Sequence, residues 1–484
     1  MKAIIRGNQM AENESLSAIE SRHIDYVPEK ERHGKVWRQG PFWFLGNFQP
    51  FTVAIGFTAP LVGISLKWSI LASVLGVLFG TIFMAAHAAQ GPKLGLPQMI
   101  QSRAQFGYVG VVVPLIASTF TFVAFLVVDT VILKIGLKSL FGWNATGVAV
   151  GLMLLTVIIA IYGHDWIHRV FIVLFWTSFP FWIITTVGLF SYHVSVPAAG
   201  KLGYNLAGFA VMFALAASYN ITYAPYVSDY TRYLPKSSKQ SSLIWSVFWG
   251  GSLSPMWLIP MGSWLAIYLN TADPLRGLHD AGNHAVGGAG TILIVLSTLA
   301  LVATMGMGAY SGMLSVVTAM DSFKPVPTGA KTRVVVILIL GVVAGFFGII
   351  FNTASTALYD ALTIMLYVLA PWTAINLIDF YAVRHGKFAI TDFFTPSGIY
   401  GRWGGRGLTA YFIGILIEIP FMYIPGYYSS WGSGQLNGVD ISWIIGLFIS
   451  GILYFVITRN VDRTAEDAAV ARSNESLARG EEVR

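Results

Sequence analysis

The sequence predicts an all-α membrane protein of about twelve transmembrane helices, on three observations. Of its 484 residues, 55% are hydrophobic and only 11% are charged, against about 25% charged in an ordinary soluble domain. The apolar residues gather in twelve stretches, each near the roughly 20 residues a helix needs to cross the hydrocarbon core. Lys and Arg fall almost wholly on one side of the alternating connections. This composition argues against a soluble enzyme, a disordered chain and a nucleic-acid binder. The formal charge of +7 is therefore read as topology. The chain has no Cys, which removes disulfides and Cys-ligated zinc or iron–sulfur sites.

The elements follow in order. Residues 1–40 are polar, with no apolar core of a cleaved signal peptide, and form a tail. The spans are 41–64, 69–90, 111–133, 145–162, 170–191, 206–226, 243–269, 289–318, 334–351, 358–380, 408–425 and 441–458. Residues 459–484 form a second charged tail, expected as a short surface helix or as disordered chain. Of the 30 Lys and Arg, 25 fall in the two tails and the even-numbered connections, and only 5 on the other side. Both termini are thus expected in the cytoplasm, with the chain multi-pass in the cell (inner or plasma) membrane. Aromatic residues near span ends, such as Trp37, Trp43, Trp68 and Trp143, fit an interfacial belt.

Twelve spans with short connections suit a transporter rather than an enzyme. No phosphate-cradling Gly-x-x-x-x-Gly-Lys-Ser/Thr loop supports ATP-driven transport, and no ladder of arginines marks a voltage sensor. No nucleophile–base or metal-ligand constellation points to catalysis. A secondary transporter is the expectation, with no cofactor beyond a coupling ion, and a channel or transport-like sensor as the rival class.

Two spans carry matched interruptions. Span 1 holds Gly46-Asn47-Phe48-Gln49-Pro50, and span 6 holds Ser218-Tyr219-Asn220 followed by Tyr223-Ala224-Pro225. Proline removes a backbone donor and clashes with the preceding turn, which frees carbonyls. Freed carbonyls suit a cation, and half-helix N-termini suit a polar substrate. Spans 1 and 6 stand five apart, which predicts two five-span inverted repeats, about 41–191 and 206–380, with two extra helices over 408–458.

Three stretches then carry a resemblance. They are Gly91-Pro92-Lys93-Leu94-Gly95-Leu96-Pro97-Gln98-Met99, Ala224-Pro225-Tyr226-Val227-Ser228-Asp229-Tyr230-Thr231-Arg232-Tyr233-Leu234-Pro235, and Pro371-Trp372-Thr373-Ala374-Ile375-Asn376-Leu377-Ile378-Asp379-Phe380-Tyr381. In this order they resemble the nucleobase–cation symporter-1 family, particularly its purine–cytosine permease branch, over most of residues 35–425. The resemblance implies a LeuT-type fold with helices 1 and 6 discontinuous. It also implies alternating access and import of a nucleobase or related ring driven by sodium or protons.

The resemblance places an aromatic residue and a polar residue four positions later in span 3, here Phe125 and Asp129. Spacing i, i+4 puts them on one helix face, as it does Tyr219 and Tyr223, between which the sequence does not choose. A planar ring needs aromatic faces and a few edge-reading polar groups. Asn47, Gln49, Ser218, Asn220 and Tyr310 are the remaining candidates. An intramembrane acid is a functional candidate by default. Asp129 either accepts from ring N–H or amine donors, carries the coupling proton, or pairs with Lys134 or Lys138.

In sodium-coupled relatives the cation is held by span 1 carbonyls and neighbouring span 8 hydroxyls. Here the aligned residues are Ala303 and Thr304, so one hydroxyl remains. A sodium site is expected, if anywhere, near Phe48 and Thr304, and the loss favours a proton. Glu418 reads as a helix-packing or oligomer contact, Asp360 as a helix cap, His87 as structural, and Asp229 with Arg232 as braces of an inner gate or a solvated pair. The expected ligand is a small heterocycle, cytosine-like first, then allantoin or hydantoin, thiamine or a pyridoxine-like vitamin. Lipid surrounds the chain, and neither nucleic acid nor an obligatory protein partner is expected.

Overall fold

The computed structural model describes residues 23–192, 202–327, 329–424 and 426–481. Every predicted span contains helix, although span 11 ends at Glu418 and its predicted remainder is a short turn, Ile419–Phe421, and a two-residue strand, Tyr423–Ile424. Spans 2 to 5 are Leu66–Ala88, Val112–Phe141, Ala145–Tyr162 and His164–Ser191; spans 7 to 10 are Gln240–Tyr268, Ala289–Asp321, Ala330–Ile350 and Ala354–Ile378. Spans 11 and 12 are Gly405–Glu418 and Ser442–Thr458. Among the described residues, seven helices are long and apolar enough to cross a membrane by themselves. The others fall short for physical reasons, the clearest being the breaks in spans 1 and 6.

Span 1 is Gln39–Gly46, then an interruption, then Pro50–Gly56 and Thr58–Leu61. Gln49 is extended, at φ −158° and ψ 167°, and its side chain accepts from the backbone N–H of Phe51 at 2.5 Å. Pro50 opens the second piece, where its missing N–H costs nothing. Span 6 is Leu206–Ile221, a turn through Thr222–Tyr226, then Val227–Thr231. Each proline thus sits at a discontinuity that neighbouring polar side chains satisfy.

Spans 1, 2, 6 and 7 pack as one bundle, and spans 3, 4, 8 and 9 pack as a second group. Spans 11 and 12 pack on each other and on span 10. Span 2 approaches span 6 closely because Gly76 and Gly80 lie one turn apart. A Cβ on Gly80 would strike the carbonyl of Ala217, the small-residue contact usual between membrane helices. Outward-facing apolar residues such as Leu338, Ile339, Val342 and Phe346 on span 9 are exposed, as a lipid-facing surface requires.

Several features were not legible. A helix Pro274–Ala285 lies between spans 7 and 8, capped by Asp273, which accepts from the backbones of Leu275 and Arg276. The last tail forms the helix Thr464–Ala478, the first of the two alternatives its sequence offered. Span 10 starts at Ala354 after Thr353, so Asp360 lies in its second turn and is not a cap. The connections after spans 2, 6 and 10 converge with the N-terminal tail at one end of the bundle, and Arg384 ties the last helix there through Glu466. There the backbone of Val27 donates to Gly95, His33 to Tyr233, and Gly110 to Arg402.

Candidate functional site

The two breaks open onto a central cavity. Span 1 contributes Gln49 and Phe51, span 3 contributes Phe122, Phe125, Leu126 and Asp129, and span 6 contributes Tyr219, Tyr223 and Tyr226. Span 8 closes it with Thr304, Met305 and Gly308. The rings form a continuous wall. Phe51 stacks on Tyr219 at 5.5 Å and 20°, and Phe125 meets Phe51 edge-on at 5.3 Å. Phe122 meets Tyr226 edge-on at 5.0 Å. Such walls favour a flat aromatic guest.

Most polar groups in the wall are already bonded. Gln49 donates from Nε2 to the Tyr219 hydroxyl at 3.0 Å, while its Oε1 caps Phe51. The Tyr219 hydroxyl also meets Thr52 Oγ1 at 2.8 Å and receives Tyr223 at 3.3 Å. Thr304 Oγ1 lies 3.2 Å from the carbonyl of Ala300 and 3.4 Å from that of Gly46. Asp129 differs. It is 4% exposed, and its Oδ1 has no hydrogen-bond partner among the described residues. Lys134 does not supply one. Its ammonium donates to the carbonyl of Ile349 at 2.7 Å and to Asn352 at 3.3 Å.

The structure therefore brings Gln49, Phe125, Asp129, Tyr219, Tyr223 and Thr304 to the cavity wall. It does not bring Asn47, Ser218, Asn220, Tyr310 or the Phe48 side chain there. Successive helical residues point about 100° apart, so Ser218 and Asn220 face away from Tyr219. Ser218 donates to the carbonyl of Leu362 at 2.6 Å. Asn220 donates to Thr81 at 2.6 Å and to the carbonyl of Gly251 at 3.0 Å, and Asn47 donates to both Asn220 and Gly251. These amides tie the two breaks to spans 2 and 7 from behind the cavity. Phe48 packs among Phe44, Trp182 and Trp257. Tyr310 faces the opposite side of span 8 from Gly308. It accepts from Arg232 at 3.1 Å and lies under the guanidinium of Arg333.

Phe51, Phe122, Leu126, Tyr226, Met305 and Gly308 were missed as wall residues. Spacing offered a signal for two faces. Residues 122, 125, 126 and 129 recur at i, i+3, i+4 and i+7, as do 219, 223 and 226 at i, i+4 and i+7. Phe51 follows the break and had no periodic signal.

The end that gathers the tails is closed. Arg232 is fully buried and donates to the carbonyl of His23 at 2.7 Å. Asp229, also buried, accepts from the backbone of Gln98 at 2.9 Å, so a solvated Asp229–Arg232 pair is not what the structure holds. Arg103 pairs with Asp321 at 3.1 Å. Arg32 reaches the carbonyl of Pro92 at 2.6 Å, and burial lowers its guanidinium pKa, with Tyr26 and Glu29 opposing. His87 stacks on Trp372 and meets the carbonyl of Phe83, a packing role.

A family model described as permease for cytosine/purines, uracil, thiamine, allantoin matches residues 26–446. The putative purine-cytosine permease YxlA of Bacillus subtilis is 33% identical, covering 91% of this chain and 96% of that protein. The allantoin permease of the same organism is 23% identical, covering 90% and 92%. Among solved structures, Mhp1, a nucleobase-cation-symport-1 family transporter in a closed conformation with bromovinylhydantoin bound, superposes with a TM-score of 0.72. It is 16% identical and covers 95% of this chain and 100% of its own. A Na+-coupled sialic acid symporter superposes with a TM-score of 0.58 at 13% identity, covering 90% and 92%. Both share the fold.

Proposed function

The chain belongs to the permease family for cytosine/purines, uracil, thiamine and allantoin, and from that premise we propose a secondary active importer of a purine or pyrimidine base, cytosine-like first. One observation carries the reading. The central cavity is walled by aromatic rings, and a carboxyl oxygen of Asp129 in that wall has no hydrogen-bond partner among the described residues. A base stacks on the aromatic wall that Tyr219, Tyr223, Phe122 and Phe125 line, and presents N–H or amine donors to Asp129. Gln49 holds Tyr219 in place rather than reading the ring edge.

Import proceeds by alternating access. The bundle of spans 1, 2, 6 and 7 rocks against the group of spans 3, 4, 8 and 9, and the cavity lies between them. The tail end faces the cytoplasm, by the excess of Lys and Arg there, in the cell membrane. The transmembrane unit runs over 41–458 between two cytoplasmic tails. The coupling ion is a proton or sodium. A hard cation wants several oxygen ligands. The break of span 1 faces one hydroxyl from span 8, Thr304, beside Ala303, which favours the proton.

The test is binding to the purified chain. Cytosine, uracil, adenine, guanine, hypoxanthine, allantoin, thiamine and pyridoxine are compared by thermal shift, with and without sodium. Stabilisation by an amino-bearing base, lost by at least about tenfold in affinity in Asp129→Asn, is expected, since a hydrogen bond to a charged group is worth about 1.5–3 kcal/mol. Stabilisation by a vitamin or hydantoin alone would overturn the nucleobase reading.

A further inference from the structure

A second cavity lies where spans 6, 10 and 12 meet. It shares no lining residue with the central one. The seam between spans 6 and 10 separates them, where Ser218 donates to the carbonyl of Leu362. Its walls include Leu215, Leu362 and Leu366, and its polar groups include Tyr359, Tyr367, Asp440 and Trp443.

The hydrogen bonding of these polar groups is selective. Asp440 is saturated. Its Oδ1 accepts from the backbone N–H and the hydroxyl of Ser442 at 2.9 and 2.6 Å. Its Oδ2 accepts from the backbone N–H of Tyr423 at 2.8 Å and from the Tyr367 hydroxyl. A carboxylate has about four acceptor positions, so this one has nothing left for a cation. Trp443 is the reverse case. It is 2% exposed, and its indole Nε1 has no partner among the described residues. Phe213 stacked at 6.2 Å and Phe79 edge-on at 5.8 Å hold the indole ring. An indole N–H only donates, and a buried donor without a partner costs about 1–3 kcal/mol.

We propose that this cavity is a second binding site, for a small neutral ring that brings a carbonyl or ring-nitrogen acceptor to Trp443 and needs no N–H donor of its own. Its chemistry is complementary to that of the central cavity, where the unpartnered group is an acceptor. The inference stands on this cavity alone and survives any outcome for the central substrate.

The probe is 1,3-dimethyluracil, which has two carbonyl acceptors, no N–H and no charge. Its binding is measured on the full-length chain in lipid nanodiscs. It is expected to bind the parent chain and Asp129→Asn equally, and to bind at least tenfold more weakly to Trp443→Phe. Ala214→Leu narrows the same cavity from span 6 and is expected to weaken binding likewise, so it decides the matter if Trp443→Phe does not fold. Absence of binding to the parent chain would overturn the proposal. So would binding lost in Asp129→Asn, binding kept in both cavity variants, or a co-purified lipid at this cavity that the probe does not displace.

Discussion

A carboxyl at mid-membrane has two physical resolutions, to lose its charge or to gain a partner. Asp129 has the room for either, because Lys134 is engaged with the end of span 9 and Asp129 lines the central cavity. The neighbouring rings are differently constrained. Tyr219 is held by Gln49 and Thr52 through its hydroxyl, so Tyr219→Phe keeps the stacking face and releases the tether. That variant is expected to weaken ligand binding a few-fold, and Tyr219→Ala by tenfold or more, as stacking on an aromatic side chain is worth about 1–3 kcal/mol per base. Equal affinities of the two variants, measured by equilibrium binding, would show that the ring does not stack there. Where a face repeats, the sequence led to residues that line the cavity, as for Phe125 with Asp129 and Tyr219 with Tyr223. Asn47, Ser218 and Asn220 lie off the cavity wall, because a polar residue beside a broken helix serves either the guest or the freed backbone. Sequence carries no rotational phase to separate these two uses.

At the scale of elements, Glu418 is buried in span 11 with neither carboxyl oxygen bonded among the described residues. It occupies the space left by Gly446 of span 12, and Ser450 sits reciprocally against Gly414. A methyl on Gly446 would strike the carboxyl directly. Gly446→Ala is therefore expected to cost about 1–3 kcal/mol as overpacking, read as a lower melting midpoint. Glu418→Gln keeps the shape and is expected to retain uptake, unlike Asp129→Asn. A large uptake loss in Glu418→Gln with unchanged melting would give span 11 a part in coupling instead. The spans themselves were legible, since length and apolar composition are set by the bilayer. The breaks were legible through Pro50 and Pro225. The helix Pro274–Ala285 was not, because it is too polar to read as a span and too short to stand out as anything else.

At the scale of the whole molecule, buried cations bridge separate elements at the tail end. Arg232 links the end of span 6 to Tyr310 of span 8 and to the backbone of His23. Arg384 joins Asp379 at the end of span 10 to Glu466 of the last helix. Breaking a buried pair by removing one partner costs about 3–5 kcal/mol, enough to shift an equilibrium between closed and open ends. The chain has no native Cys, so Gly308→Cys places a single thiol at the central cavity, where a Cβ meets nothing within 4 Å. Adding Arg232→Gln is expected to raise labelling of that thiol from the tail side several-fold. Unchanged labelling would place the seal elsewhere.

The most direct measurement is uptake of radiolabelled cytosine into proteoliposomes under an imposed proton or sodium gradient, comparing the parent chain with Asp129→Asn. The account predicts saturable accumulation above equilibrium that collapses when the driving gradient is dissipated, with Asp129→Asn reduced at least tenfold. Accumulation by Asp129→Asn equal to the parent across pH would contradict it, as would flux that neither saturates nor follows either gradient.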